Sequence, residues 1–295
     1  MNQPMRIFDR RLVRLRRERL ATNLTGVGFL LHEVTDRLLD RLADIRREFR
    51  HVLVLGGTEA LVTAVRAGPG VVNVVLADEV AAMLMPGGSR VVVDTEALPF
   101  AEDRFELFVG VMLLHWVNDL PGTLAQMRYC LAPDGLLLLA MPGGDTLGEL
   151  RQALTEAELE CEGGAAPRVS PFADLRDAGG LLQRAGLALP VADVDRITVS
   201  YGDPLRLMRD LSRMGEANAL LQRRQGPLRR ATLARACQIY AERYADGTGR
   251  VPATFDILFL SAWKRHASQQ QPARRGSGRT SLADAVRRAP PRADR

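Results

Sequence analysis

Between His51 and Met141 the chain repeats one pattern: a short apolar run, a turn, a helical segment, then another apolar run. The runs are His51–Leu55, Val71–Leu76, Val91–Val93, Phe108–Leu114 and Leu136–Met141. Each has the length of a strand buried on both faces, and each is bounded by polar or turn residues. Helical stretches at 60–66, at 79–85 and from Asp119 to about Leu131 lie between them. Gly68-Pro69-Gly70, Pro86-Gly87-Gly88 and Pro133-Asp134-Gly135 mark the changes of direction. Asp119 can cap its helix, with Pro121 in the first turn. Buried strands joined by helices predict an α/β fold built on a doubly wound parallel sheet.

Two helices are predicted ahead of the sheet. Residues 5–25 put Phe8, Leu12, Leu20 and Leu24 on one side of an Arg-rich helix. It resembles a mitochondrial transit peptide, against which Asp9 and Glu18 argue. Residues 29–49 space Leu31, Val34, Leu38, Leu42, Ile45 and Phe49 as a helix does. Beyond Gly143-Gly144-Asp145, helices at 146–161 and 172–185 precede a strand near 191–199. Two inserted helices at 204–222 and 228–244 come next, and then a last, antiparallel strand at 255–263. The expected organisation is an N-terminal helical segment (1–47), one domain (48–266, with a helical insertion at about 203–246) and a tail (267–295). The tail is rich in Gln, Ser, Pro and Arg and cannot bury enough apolar surface to order itself, so disorder is expected there.

Charge is uneven. The chain of 295 residues carries a formal +5. Residues 1–25 hold seven Arg against Asp9 and Glu18, and residues 267–295 hold seven Arg against Asp284 and Asp294. The basic character therefore belongs to the ends and the domain itself is slightly acidic. Basic ends can meet nucleic acid, acidic lipid or an acidic protein, or simply keep the chain soluble. The arginines are not interleaved with the aromatic residues that single-strand binding uses, which disfavours nucleic acid as a partner. No apolar run reaches the length of a membrane span, so no membrane insertion is expected. The cysteines Cys130, Cys161 and Cys237 lack metal-ligand spacing, and a reduced cytoplasmic setting fits them.

In open α/β sheets ligands bind outside the carboxyl ends of the strands. Asp78 ends the second predicted strand, where a carboxylate can hold both hydroxyls of a ribose. It can equally cap the helix at 79–85. Asp94 and Glu96 follow the third strand, where an acid can accept from an adenine amino group or lie in solvent. His115 and Trp116 follow the fourth. Trp116 could stack on a ligand. His115 could act as a base or be a satisfied structural histidine. Gly56 and Gly57 turn the chain after the first strand, where backbone must approach a nucleoside closely. Arg168, in Pro167-Arg168-Val169-Ser170-Pro171, is a candidate for the acceptor side. His32, His51, His115 and His266 show no ligand spacing, so no metal site is expected.

Asp94-Thr-Glu-Ala-Leu-Pro-Phe, Leu114-His-Trp-Val-Asn-Asp-Leu-Pro-Gly and Leu131-Ala-Pro-Asp-Gly-Leu together resemble class I S-adenosylmethionine-dependent methyltransferases. Ile7-Phe-Asp-Arg-Arg-Leu-Val, Gly143-Gly-Asp-Thr-Leu-Gly-Glu-Leu-Arg, Pro167-Arg-Val-Ser-Pro-Phe-Ala-Asp and Met214-Gly-Glu-Ala-Asn-Ala-Leu are similar to one branch. That branch holds the methyltransferase-like, arginine-hydroxylating assembly factors of respiratory complex I, related to the malonyl-carrier-protein methyltransferases of biotin synthesis. The likeness spans about 5–270. It implies a Rossmann-like seven-stranded methyltransferase sheet and S-adenosyl-L-methionine as cofactor. Asp78 matches the ribose acid, Asp94 the acid near adenine and Gly56 the first glycine of the cofactor loop. The family's acid–apolar–Gly–any–Gly–any–Gly pattern becomes Val54-Leu55-Gly56-Gly57-Thr58-Glu59-Ala60 here, which narrows the space for a ligand.

The leading expectation is a methyltransferase-fold enzyme acting on a protein or small acceptor, with His115, Trp116 and Arg168 on the acceptor side. Gly56, Gly57, Asp78, Asp94 and Glu96 would hold the cofactor. A respiratory complex I subunit is the expected partner. The other reading is a non-catalytic assembly scaffold with a degenerate cofactor loop. An RNA modifier using the basic ends is a third.

Overall fold

A computed structural model describes residues 6–21, 28–224 and 226–270, with isolated positions beyond. One compact unit spans Met1–Arg265, and His266–Arg295 form a second. The disordered tail expected over 267–295 falls for the most part outside the described residues.

The strands are β1 (His51–Leu55), β2 (Asn73–Asp78), β3 (Ser89–Val92), β4 (Phe105–Val111), β5 (Leu131–Pro142), β6 (Leu187–Tyr201) and β7 (Val251–Lys264). They form one seven-stranded sheet in the order β3-β2-β1-β4-β5-β7-β6. The first five run parallel; β7 is antiparallel to both β5 and β6. The order reverses between β1 and β4, and such a switch point leaves a crevice at the carboxyl ends of the strands.

The helices are α1 (Arg10–Ala21), α2 (Phe29–Ala43), α3 (Glu59–Arg66), α4 (Leu120–Cys130), α5 (Gly148–Glu162), α6 (Leu175–Arg184), α7 (Pro204–Arg213) and α8 (Arg230–Tyr244). Central strands are apolar on both faces because both are covered. Val52, Val54, Leu107 and Val109 join the core under α2, α3, α5 and α8. Leu53, Leu55 and Phe108 join the opposite core under α4 and α6. Four N-caps are side chains that accept a first-turn N–H: Thr58 for α3, Asp119 for α4, Asp174 for α6 and Asp203 for α7.

Some expectations are corrected. The helix at 79–85 is a single 3-10 turn at Ala81–Met83, because Val80 and Leu84 on either side of it are extended. β4 ends at Val111, three residues earlier than expected, so Leu114–Trp116 form a 3-10 turn above the strand. The first inserted helix stops at Arg213, and the glycine Gly215 takes a left-handed φ of 79° just beyond it.

Candidate cofactor crevice and acceptor cavity

The crevice begins at the turn after β1. Gly56 and Gly57 have φ of 73° and 102°, values that L side chains rarely adopt. A Cβ on Gly56 would stand 2.7 Å from the carbonyl oxygen of Val111, and one on Gly57 would stand 2.7 Å from Leu61. These glycines let the turn pack against β4 and α3, and Gly57 also lines the small cavity that remains beside it. Thr58, where the family pattern has glycine, caps α3 by accepting from the Leu61 N–H at 3.2 Å.

Asp78 ends β2 and is 2% exposed. Its Oδ1 accepts from the Val80 N–H at 2.9 Å, and its Oδ2 accepts from Nη2 of Arg17 at 2.8 Å. The expected helix cap is thus a local turn. Burial pushes the Asp78 carboxyl above its usual range, and Arg17 and the Val80 N–H only partly offset this.

Arg17 comes from α1, whose buried face is Val13, Arg17 and Leu20. An arginine in the apolar seam of a helix requires a counter-charge, and Asp78 supplies it. One turn and more toward the N-terminus, Arg10 spans the remaining acids. It pairs with Glu79, with Asp94 at 2.6 Å and with Glu96 at 2.9 Å. Burial opposes its charge, but Glu79 and Asp94 hold its pKa above the ordinary guanidinium value. Asp94 is held below the usual carboxylate range. Burial pushes it up, but the Glu96 N–H and Arg10 together outweigh that. Asp78, Asp94 and Glu96 therefore do share one crevice, and α1 fills it.

What remains open there is a cavity of about 40 Å³, lined by Arg17, Leu20, Met83, Met112, Met214 and Glu216 among others. Met112, the first residue after β4, has a φ of 51°, a strained value for a side chain of its kind. A cofactor of nucleoside size needs a site of roughly 300 Å³ or more. The residue types at the tips of β2 and β3 suit S-adenosylmethionine; the space does not while α1 is docked.

The segment after β4 ties the surroundings together. His115 is buried and its Nε2 lies 2.8 Å from Oε2 of Glu216, while its Nδ1 has no partner. Trp116 is also buried, in an edge-to-face contact with Phe8 at 5.4 Å and 85°. Oδ1 of Asn118 accepts from the N–H groups of Ile7 and Phe8, each at 2.7 Å. This stretch thereby fastens the N-terminal segment over the crevice. The loop after α7 joins in: the Asp9 N–H donates to Ala219 and the Leu221 N–H to Ile7.

A larger cavity of about 380 Å³ lies alongside, lined by Arg16, Arg168, Ser170, Phe172, Glu216 and Arg223 among others. Arg168 donates through Nε and Nη2 to Oε1 of Glu158, which is fully buried. Arg16 donates to the carbonyls of Ala217 and Asn218 and faces Arg223; burial, then that neighbour, lowers its pKa. The Ser170 hydroxyl is buried without a partner.

The structure thus brings His115 and Arg168 to the walls of one neighbourhood, each bonded to an acid. It places Trp116 in a small cluster with Phe8, Val13, Ala219 and Leu220. The residues missed by sequence reasoning are Arg10, Arg17, Asn118 and Glu216. Arg10, Asn118 and Glu216 sit inside motifs that were singled out. Arg17 carried one signal, an arginine at the core-facing position of a helix. Among the described residues no group of three or more His, Cys, Asp or Glu side chains could hold a metal, and no helix is long and apolar enough to cross a membrane.

A family model described as a methyltransferase domain matches residues 29–190. The arginine-hydroxylase NDUFAF5 of Danio rerio is 39% identical over 290 residues, covering 96% of this chain and 90% of its own. The Homo sapiens protein of that name is 40% identical, covering 95% and 83%. A malonyl-[acyl-carrier protein] O-methyltransferase of Halorhodospira halophila is 35% identical over 90% of this chain and 91% of its own. The YcgJ protein of Bacillus subtilis shares the fold, with a TM-score of 0.53 at 15% identity, over 80% of this chain and 99% of its own. Sequence and architecture agree, and the chain belongs to the methyltransferase-domain family.

Proposed function

We propose that this protein is an S-adenosylmethionine-dependent enzyme of methyltransferase fold that works on a protein or small acceptor during assembly of respiratory complex I, in the bacterial cytoplasm. One observation supports the cofactor half of this reading most. The carboxylates of Asp78, Asp94 and Glu96 come from adjacent strand ends and converge, through guanidinium partners, on the crevice at the switch point. In this reading Asp78 takes the ribose hydroxyls, Asp94 and Glu96 stand at the adenine edge, and Gly56 and Gly57 shape the turn beneath. S-adenosylmethionine, once bound, supplies a sulfonium-activated methyl group.

On the acceptor side the chain's own groups define the chamber. Glu216 lines both cavities, so it stands where cofactor and acceptor would meet. His115 positions that carboxylate. Arg168 acts through Glu158, fixing the loop that carries Ser170 and Phe172. Trp116 holds Phe8 and with it the start of α1. Calorimetry with S-adenosylmethionine and S-adenosylhomocysteine tests the reading. Saturable micromolar binding that Asp78→Ala abolishes is expected; silence for both ligands sinks it.

The second reading, a scaffold that has given up catalysis, is favoured by the filled crevice and by Thr58 and Ala60 in the cofactor loop. It gains ground if both ligands are silent while the protein still retains complex I subunits from a bacterial lysate.

A further inference from the structure

We infer that α1 is an intramolecular ligand of the cofactor crevice: Arg17 and Arg10 occupy the carboxylates that the nucleoside would use, so helix docking and cofactor binding exclude one another. The inference rests on the cofactor reading above and goes beyond it.

Three features carry it. First, the charge pattern of the crevice matches the helix better than it matches a nucleoside. Asp78, Glu79, Asp94 and Glu96 place four acids together, and Arg17 and Arg10 contact all four. No ribose hydroxyl needs Glu79. Its carboxylate is buried, and it accepts from Arg10 and from the Thr95 N–H at 3.3 Å. The charge of this acid beside the ribose position is met by a cation only when α1 is docked.

Second, the fit of α1 is incomplete. Nε of Arg17 is buried with no hydrogen-bond partner, and a cavity remains beside it. An unpaired buried donor weakens the docked state. The docked helix is therefore held less tightly than a fully paired one would be, although Val13 and Leu20 are buried with it.

Third, α1 reaches both cavities. Arg17 points into the cofactor crevice, while its neighbour Arg16 lines the larger cavity and donates to the carbonyls of Ala217 and Asn218. The loop bearing Glu216 is bonded to the start of the same segment through Asp9, Ala219, Ile7 and Leu221. Displacing Arg17 withdraws Arg16 as well. Cofactor binding then opens the acceptor chamber, and the two ligands bind in that order. The apparent cofactor affinity is the intrinsic one reduced by the fraction of molecules with α1 undocked.

The test uses the full chain and S-adenosylhomocysteine. Calorimetry compares wild type with Arg17→Met and Arg10→Gln, each checked for native circular dichroism. The expected result is binding at least tenfold tighter for Arg17→Met, and a smaller gain for Arg10→Gln. In parallel, hydrogen exchange on the wild type reads the amides of residues 10–21, which are expected to exchange faster at saturating ligand. Wild-type binding with no gain in either variant, or α1 amides that become more protected, overturns the inference and leaves the cofactor reading standing. Silence of all three proteins overturns both. Should a variant fail to fold, the wild-type exchange result decides.

Discussion

Nε2 of His115 lies 2.8 Å from Oε2 of Glu216, and this is the one hydrogen bond that the buried imidazole makes among the described residues. The bond joins the segment after β4 to the loop after α7, more than a hundred residues away. Glu216→Ala would leave both ring nitrogens buried and unpaired. A loss of about 1–3 kcal/mol is expected for such a group, read by urea denaturation. Glu216→Gln keeps a partner for the ring and should lose markedly less. Equal losses in the two variants would show that the bond is not what the site contributes.

Arg168 and Glu158 set a harder case. Glu158 has no exposed surface, so Arg168→Ala strands a buried carboxylate. Breaking a buried pair from one side costs about 3–5 kcal/mol, and the Ala166 N–H that also donates to Glu158 offsets part of it. Arg196 pairs with Asp256 but is 59% exposed to screening solvent, so Arg196→Ala is expected to cost less than Arg168→Ala. Chemical denaturation of the two variants side by side should rank them in that order.

Acid should loosen the crevice through Asp94. Its carboxyl sits below the usual range in the folded protein, because the Glu96 N–H and Arg10 outweigh burial. Such an acid stabilises the fold above its unfolded pKa of about 3.9 and gives up that stability as the pH falls through its lower folded value. The urea midpoint of the wild type should therefore drop below about pH 4 more steeply than that of Asp94→Asn. Parallel curves would remove Asp94 from the account. Asp94 is about half exposed, so the difference will be small.

Thiol chemistry offers an independent check on the core. Burial pushes the Cys130 thiol up to about 11, while Cys161 is exposed. At pH 8, Cys161 should react promptly with an aromatic disulfide reagent and Cys130 only after denaturation. Fast labelling of Cys130 in the native protein would mean that α4 is not packed as described.

Much of the sheet was legible in advance because burial on both faces writes itself locally. Val52 to Leu55 are apolar regardless of which side each faces, since helices cover both. The positions of Asp78, Asp94 and Glu96 at and after the ends of β2 and β3 were legible for a related reason: strand ends can be read. Helix length was less secure. The stretch after Asp78 looked helical, but Val80 and Leu84 are extended and leave only a 3-10 turn between them.

The amino-acid sequence by itself determined the doubly wound sheet, the acids at its carboxyl edge and the narrowed first turn, because each depends on neighbours close in the chain. Only the tertiary structure decided what those acids hold. Arg17 and Asp78 are sixty-one positions apart, and His115 and Glu216 one hundred and one. Nothing in local periodicity says that an arginine on an N-terminal helix will be carried onto a buried acid at the end of β2. That outcome follows from the need to neutralise buried charge, and a charge finds its partner through space.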